Sequence, residues 1–170
     1  MTTEEIEYAI INMVNVRQNY VIRNLSWGMH NLHECDVLKL TKSGYATEYE
    51  IKISRSDLIK DKEKKHGHES DYIKELYFVV PYYLVDFAKQ NIPKRAGLIA
   101  VYYKTFNGKE VINFNDVFYQ TKTLIYPEVN SNSKKWSEDD VYNLLRLSNM
   151  RVLRYAKNMA KVKWEQKNKK

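Results

Sequence analysis

The spacing of hydrophobic positions changes period several times along the chain, and each change marks an element. Ile6, Ala9, Ile10 and Met13, with Arg17 continuing the interval, recur at helical spacing. Thr2 and Glu5 stand in the relation of a capping box, so a helix is predicted over 3–17. Glu4, Glu5 and Glu7 fall in its first turn, where carboxylates favour the positive end of the helix dipole; a reach from one of them to a metal stays open. YVIRNLSW, residues 20–27, mixes β-branched and aromatic residues before Gly28 and reads as a short strand. Trp27, Met29, His30 and His33 then form a connection, and surface or loop packing is the commoner role for such histidines. CDVLKL, residues 35–40, is nearly continuous in apolar residues, as in a strand covered on both faces. Lys42-Ser43-Gly44 has the composition of a tight turn, and residues 45–54 alternate with a period of two. That alternation puts Tyr45, Thr47, Tyr49, Ile51 and Ile53 on one side and Ala46, Glu48, Glu50, Lys52 and Ser54 on the other.

Ser54 and Asp57 repeat the capping spacing, and RSDLIKDKEKKH reads as a very polar helix over 55–66, solvated and laced with pairs such as Asp61 to Lys65. The HGHES run that follows is a polar break. LYFVV (76–80) and GLIAVYY (97–103) read as buried strands, with a short helix over 82–90 between them. Asn107-Gly108 is a hairpin signal leading to EVINF, residues 110–114, as the partner strand. Residues 121–135 are polar and contain Pro127, which suggests a surface connection. Ser137 then caps a long helix whose stripe of Val141, Leu144, Leu145, Val152, Tyr155, Ala156 and Met159 is expected to be mostly core. Its opposite face carries Arg146, Arg151, Arg154, Lys157, Lys161 and Lys163, which serve equally well as phosphate contacts or as a cationic complement to the helix dipole.

Composition narrows the class without naming a function. The 170 residues are 44% hydrophobic and 29% charged, enough for one core, and are read as a single domain over 1–165 with a basic tail at 166–170. A net charge of +7 favours a polyanionic partner. The single cysteine, Cys35, rules out an internal disulfide and a cysteine-rich zinc module, and fits a reducing compartment. No apolar run approaches membrane-spanning length and no export signal opens the chain, so a cytoplasmic protein is expected.

The chemistry concentrates in ECDVLKLTKSGYATEYEIKISRSDLIKDKEKKH, residues 34–66. Asp36 lies in an apolar strand, where a carboxylate is costly unless a cation or a hydrogen bond compensates it. Glu50 and Lys52 project together from the next strand. An ordinary surface ion pair explains that spacing too, but in a sheet interior Glu48, Glu50 and Asp36 would repel one another without a cation. The polar helix directly after this strand offers a rail for backbone phosphates.

With Asp36, Glu50, Lys52 and the EIKISRSDLIKDKEK run in hand, the chain resembles the PD-(D/E)XK nuclease superfamily, and within it the MmcB-like DNA-repair group. The resemblance covers about residues 20–105, with Cys35 standing where many members have proline. It implies an α/β (α+β), restriction-endonuclease-like core: a central mixed sheet of about four or more strands flanked by helices, with the acidic hairpin at its centre. It further implies a DNA nuclease of repair, recombination or phage and mobile-element processing. Asp36, Glu50 and the Ile51 carbonyl would bind Mg2+ or Mn2+, and Lys52 would orient or deprotonate the attacking water. Glu48, Ser54 and Asp57 are candidates to support that site, and Arg55, Lys60, Lys64, Lys65, Arg151 and Arg154 to bind nucleic acid. RNA as substrate and a homodimeric state stay open. The competing function is a non-cleaving nucleic-acid-binding protein of the same fold.

Overall fold

A computed structural model describes residues 1–25, 34–63, 68, 70–105 and 117–168. They form two compact units, Met1–Lys135 and Trp136–Lys170, each taken by itself below. The first contains α1 (Thr3–Met13), β1 (Tyr20–Leu25), β2 (Cys35–Leu40), β3 (Ala46–Ile51), α2 (Arg55–Lys62), β4 (Ile73–Pro81), α3 (Val85–Asn91, entered through a 3-10 turn at Tyr82–Leu84), β5 (Gly97–Thr105) and β6 (Val117–Ile125). The second is built on α4 (Glu138–Asn168).

The strands form one mixed sheet in sequence order, β1-β2-β3-β4-β5-β6. β1, β2 and β3 pair antiparallel, β3, β4 and β5 pair parallel through α2 and α3, and β6 returns antiparallel. Two successive crossovers of the usual right hand, stepping in the same direction, leave their helices on one side of a sheet. Accordingly Leu58 of α2, Leu84 of the 3-10 turn and Ala88 of α3 pack with Leu76, Phe78, Val80 and Leu98. The opposite face takes α1: Ile6, Ala9 and Ile10 meet Val37, Tyr49, Ile51, Val79, Ile99 and Val101. β3 is covered on both sides, all six residues being buried. Its register, Val37↔Tyr49↔Tyr77 and Glu48↔Leu76, fixes which side each residue takes.

Local signals explain most boundaries. The capping box at α1 is present in both directions, the Glu5 amide donating to Thr2 Oγ1 at 3.3 Å and the Thr2 amide to Glu5 Oε2 at 2.6 Å. The helix stops at Met13 and not at residue 17. Asn15 takes a left-handed φ of 50°, and Asn19 Nδ2 donates to the Val14 carbonyl at 2.8 Å, a side-chain cap that ends the helical bonding. Gly44, with φ of 84°, supplies the left-handed residue that the β2–β3 turn requires. β4 begins at Ile73, three residues before the apolar run.

Two expectations are corrected. Residues 121–125 are not a connection: Thr121–Ile125 continue β6 and pair with β5, a polar-faced edge strand whose alternation the Lys and Thr residues disguise. The apolar stripe of α4 is not mostly core: Leu145, Val152, Tyr155 and Met159 are exposed, and among its apolar residues Leu144 alone is fully buried. The Asn107-Gly108 hairpin with residues 110–114, and Trp27, Met29, His30 and His33, lie outside the described residues.

Gly97 opens β5 opposite Tyr77 of β4. A Cβ there would meet Tyr77 Cδ1 at 2.5 Å and the Ile125 carbonyl at 2.9 Å, and the Tyr77 ring is itself stacked on Tyr49. Gly97→Ala is expected to cost about 1–3 kcal/mol by overpacking, read as a lowered midpoint in denaturant with unchanged slope.

Candidate metal and phosphate site

On the α2 side of the sheet the alternation of β3 aims Glu48, Glu50 and Lys52 the same way, and all three are buried. Lys52 Nζ donates to Glu50 Oε1 at 2.7 Å and reaches Asp61 Oδ1 of α2 at 2.6 Å. Asp61 Oδ2 lies 2.9 Å from His68 Nε2, and His68 Nδ1 lies 3.2 Å from Glu48 Oε1. The side chains thus form a chain of alternating charge, Glu50–Lys52–Asp61–His68–Glu48, none more than 7% exposed. Phe78 of β4 forms its floor, with the His68 ring edge-on at 5.6 Å and Lys52 Nζ at 5.9 Å from the ring centre. Removing one member of such a buried network leaves its partner charged and dehydrated, at a cost of about 3–5 kcal/mol.

Asp36 stands at the rim. Continuing the β2–β3 register by one residue sets it opposite Glu50, and its Oδ2 accepts from the Ile51 amide at 2.7 Å. That bond fixes the carboxylate at the end of β3, where the strand leaves its pairing with β2. A cleft of about 480 Å³ opens here, lined by Thr3, Glu34, Asp36, Glu50, Ile51, Lys52, Ile53, Asp57, Lys60 and Asp61. In a chain of net charge +7 its walls are acidic: Glu34, Asp36, Glu50, Asp57 and Asp61 face Lys52 and Lys60.

The charge state of His68 decides how the deeper cluster is read. Burial alone would lower its pKa, but the hydrogen bonds to Asp61 and Glu48, with the charges of Glu48 and Glu50, outweigh it and raise the value to about 9. At neutral pH His68 is therefore an imidazolium donating from both nitrogens. Carboxylate and imidazole atoms of Glu48, Glu50 and His68 lie within 4.8 Å of one another, a spacing that metals accept. A metal bound there would have to displace the His68 proton, whereas the oxygen-lined cleft beside it, which shares Glu50, offers carboxylates that need no such exchange.

The positions singled out in the sequence sort clearly. Asp36, Glu50, Ile51, Lys52, Asp57 and Lys60 line the cleft together. Glu48 lies beneath it, opposite Leu38 in the register and held by His68. Ser54 caps α2, its Oγ accepting from the Asp57 amide at 3.2 Å, while Arg55 is exposed with its guanidinium 5.2 Å from the Phe87 ring centre. Lys64 and Lys65 fall outside the described residues, and Arg151 and Arg154 belong to α4 of the second unit. Glu5 accepts from the Tyr119 hydroxyl at 2.6 Å and Glu7 pairs with Arg23 and Asn24, so neither lines the cleft, and Glu4 is absent from its lining.

Three residues escaped sequence reasoning. Asp61 was expected in a solvated pair with Lys65 and His68 in a polar break, whereas both are buried and paired with each other; Glu34 joins the cleft wall. Asp61 was findable, since it stands three residues after Leu58, on the side of α2 that must meet the sheet. His68 carried no such signal, because its place depends on a left-handed φ of 57° between α2 and β4.

No family model and no curated protein matches the chain. Among solved structures it is similar to the SPO1766 protein of unknown function from Silicibacter pomeroyi, at 12% identity and a TM-score of 0.58, over 94% of this chain and 92% of that one. A likeness at that identity speaks for the mixed α/β fold alone.

His68 should make stability depend on pH. Its folded pKa of about 9 stands above the ordinary 6.5, so its contribution is complete below about pH 6.5 and is lost as pH rises through about 9. Thermal unfolding midpoints are expected to fall across that interval in the parent chain and to fall less in His68→Gln. Parallel profiles for the two chains would show that His68 is not the titrating group.

Proposed function

We propose that this chain is a metal-dependent nuclease of the PD-(D/E)XK type, hydrolysing phosphodiester bonds of DNA in repair, recombination or the processing of mobile and phage DNA, in the cytoplasm of a bacterial or phage-infected cell. One observation carries the reading: Asp36, Glu50, Ile51 and Lys52, from two neighbouring strands, line a single acidic cleft on an otherwise basic protein. The donor set suits a hard divalent cation, because carboxylates and a main-chain carbonyl are the oxygen ligands that Mg2+ and Mn2+ prefer. Asp36, Glu50 and the Ile51 carbonyl would hold it; once bound, such an ion polarises the phosphate and lowers the pKa of a bound water.

The remaining chemistry belongs to the chain itself. The Ile51 amide holds the Asp36 carboxylate in one orientation, which removes a rotational cost that a free aspartate would meet on binding. Lys52 orients the attacking water and lays positive charge where the transition state is most negative. Glu50 and Asp61 grip its ammonium from two sides, so that group is in place before substrate arrives. Lys60, exposed on the cleft wall, and Arg55, exposed on the first turn of α2, would contact flanking phosphates.

The non-cleaving alternative has an observation of its own. Lys52 is only 7% exposed and already engaged by two carboxylates, a structural use that needs no substrate. Cleavage of linear, circular, single-stranded and branched DNA, and of RNA, with Mg2+ or Mn2+ separates the two. Nuclease action predicts metal-dependent cutting that drops on the order of 100-fold or more in Asp36→Asn and Lys52→Ala, each checked for retained fold by circular dichroism. Equal cutting by parent and variants would sink the nuclease assignment. Retained DNA binding, with no calorimetric Mg2+ or Mn2+ binding that depends on Asp36 and Glu50, would favour the non-cleaving protein.

A further inference from the structure

The second unit carries a feature that the nuclease reading leaves unused. α4 runs for 31 residues, and along it Val141, Leu145, Ser148, Val152, Tyr155, Met159, Val162 and Gln166 follow one another in alternating steps of four and three. That is the seven-residue repeat that keeps one seam of a helix facing a partner helix. Six of these eight positions are apolar. Five of the six are exposed, Leu145 at 44%, Val152 at 62%, Tyr155 at 68%, Met159 at 40% and Val162 at 46%. Met150, Leu153 and Trp164 are exposed as well and lie off the seam.

We infer that α4 pairs antiparallel with α4 of a second copy of this chain. Charge selects the direction. The first turn carries Glu138, Asp139 and Asp140, and the last turn carries Lys167. A parallel pair would set the three carboxylates beside their own copies, while an antiparallel pair brings them to the cationic end of the other helix and opposes the two dipoles favourably. The antiparallel arrangement also closes the seam in register: Val152 lies opposite Tyr155 of the second copy, Ser148 opposite Met159, Leu145 opposite Val162 and Val141 opposite Gln166. At the flanks Lys163 comes beside Tyr142 and Arg151 beside Asn158, with no like charges opposed. The seam from Val141 to Gln166 is about 39 Å long at 1.5 Å per residue, long enough for about three and a half heptads.

Sedimentation equilibrium of the full chain is expected to give twice the 20.3 kDa protomer mass at micromolar concentration. Val152→Asp, on the seam, is expected to raise the dimer dissociation constant at least tenfold. Met150→Asp, equally exposed but off the seam, is expected to leave it unchanged, which separates loss of pairing from a general effect of added charge. Direction is read by disulfide trapping. A mixture of Leu145→Cys and Val162→Cys chains is expected to cross-link, while neither chain alone does. A monomer at every concentration would overturn the pairing, as would equal weakening by both aspartate variants. Cross-linking of Leu145→Cys with itself would overturn the antiparallel direction.

Discussion

The structure around the cleft depends on one constraint: Lys52 is a buried ammonium and must be matched where it lies. It sits beside Phe78 and beneath α2, largely withdrawn from solvent at the wall of the cleft, and its charge is met by Glu50 two residues before it and Asp61 from the helix above. Because Asp61 is also bound to His68, and His68 to Glu48, the requirement passes from strand to helix to the segment before β4 and back to the strand. The crossover from β3 to β4 is thereby held by polar bonds as well as by Leu58. Apolar packing alone would tolerate a sliding helix; a chain of alternating charge anchored at both ends on β3 tolerates far less.

The two faces of the sheet divide the work. The α1 face is an apolar contact among Ile6, Ile10, Val37, Tyr49, Val79 and Ile99, and supplies cohesion without chemistry. The other face spends part of its area on charge, which is affordable only because the first is so thoroughly apolar. Alternation in β3 is the device that keeps them apart, sending Tyr49 and Ile51 one way and Glu48, Glu50 and Lys52 the other. The acidic cleft opens at the end of that strand, where α2 and the rim of β2 leave the sheet uncovered.

Much of this was legible in the sequence, because period and capping are local properties. β2 was readable to the residue, the sidedness of β3 followed from strict alternation, and Thr2, Ser54 and Ser137 announced three helix starts. What was hidden depended on distant partners. Thr121–Ile125 looked like a connection because an edge strand needs few apolar residues. The stripe on α4 looked like core because periodicity shows that a helix has an apolar side, and not what lies against it. Asp61 looked solvated because the charges around it masked its position beside Leu58, and His68 because a histidine after a polar helix carries no period at all.

The candidate site is also short in sequence. Its chain of charges and the Asp36 carboxylate lie between residues 36 and 68, and the contact from Glu48 to His68 spans 20 positions, whereas the bond between Tyr119 and Glu5 spans 114. Closing a small loop costs less chain entropy than closing a large one, so β2, β3 and α2 can draw their charges together before the two ends of the first unit meet. The contact between α1 and β6, bridged by Glu5 and Tyr119, closes a loop of 114 positions and carries the larger entropic cost. Loosening that contact would unseat the apolar face and, through Thr3 of α1, disturb one wall of the acidic cleft as well.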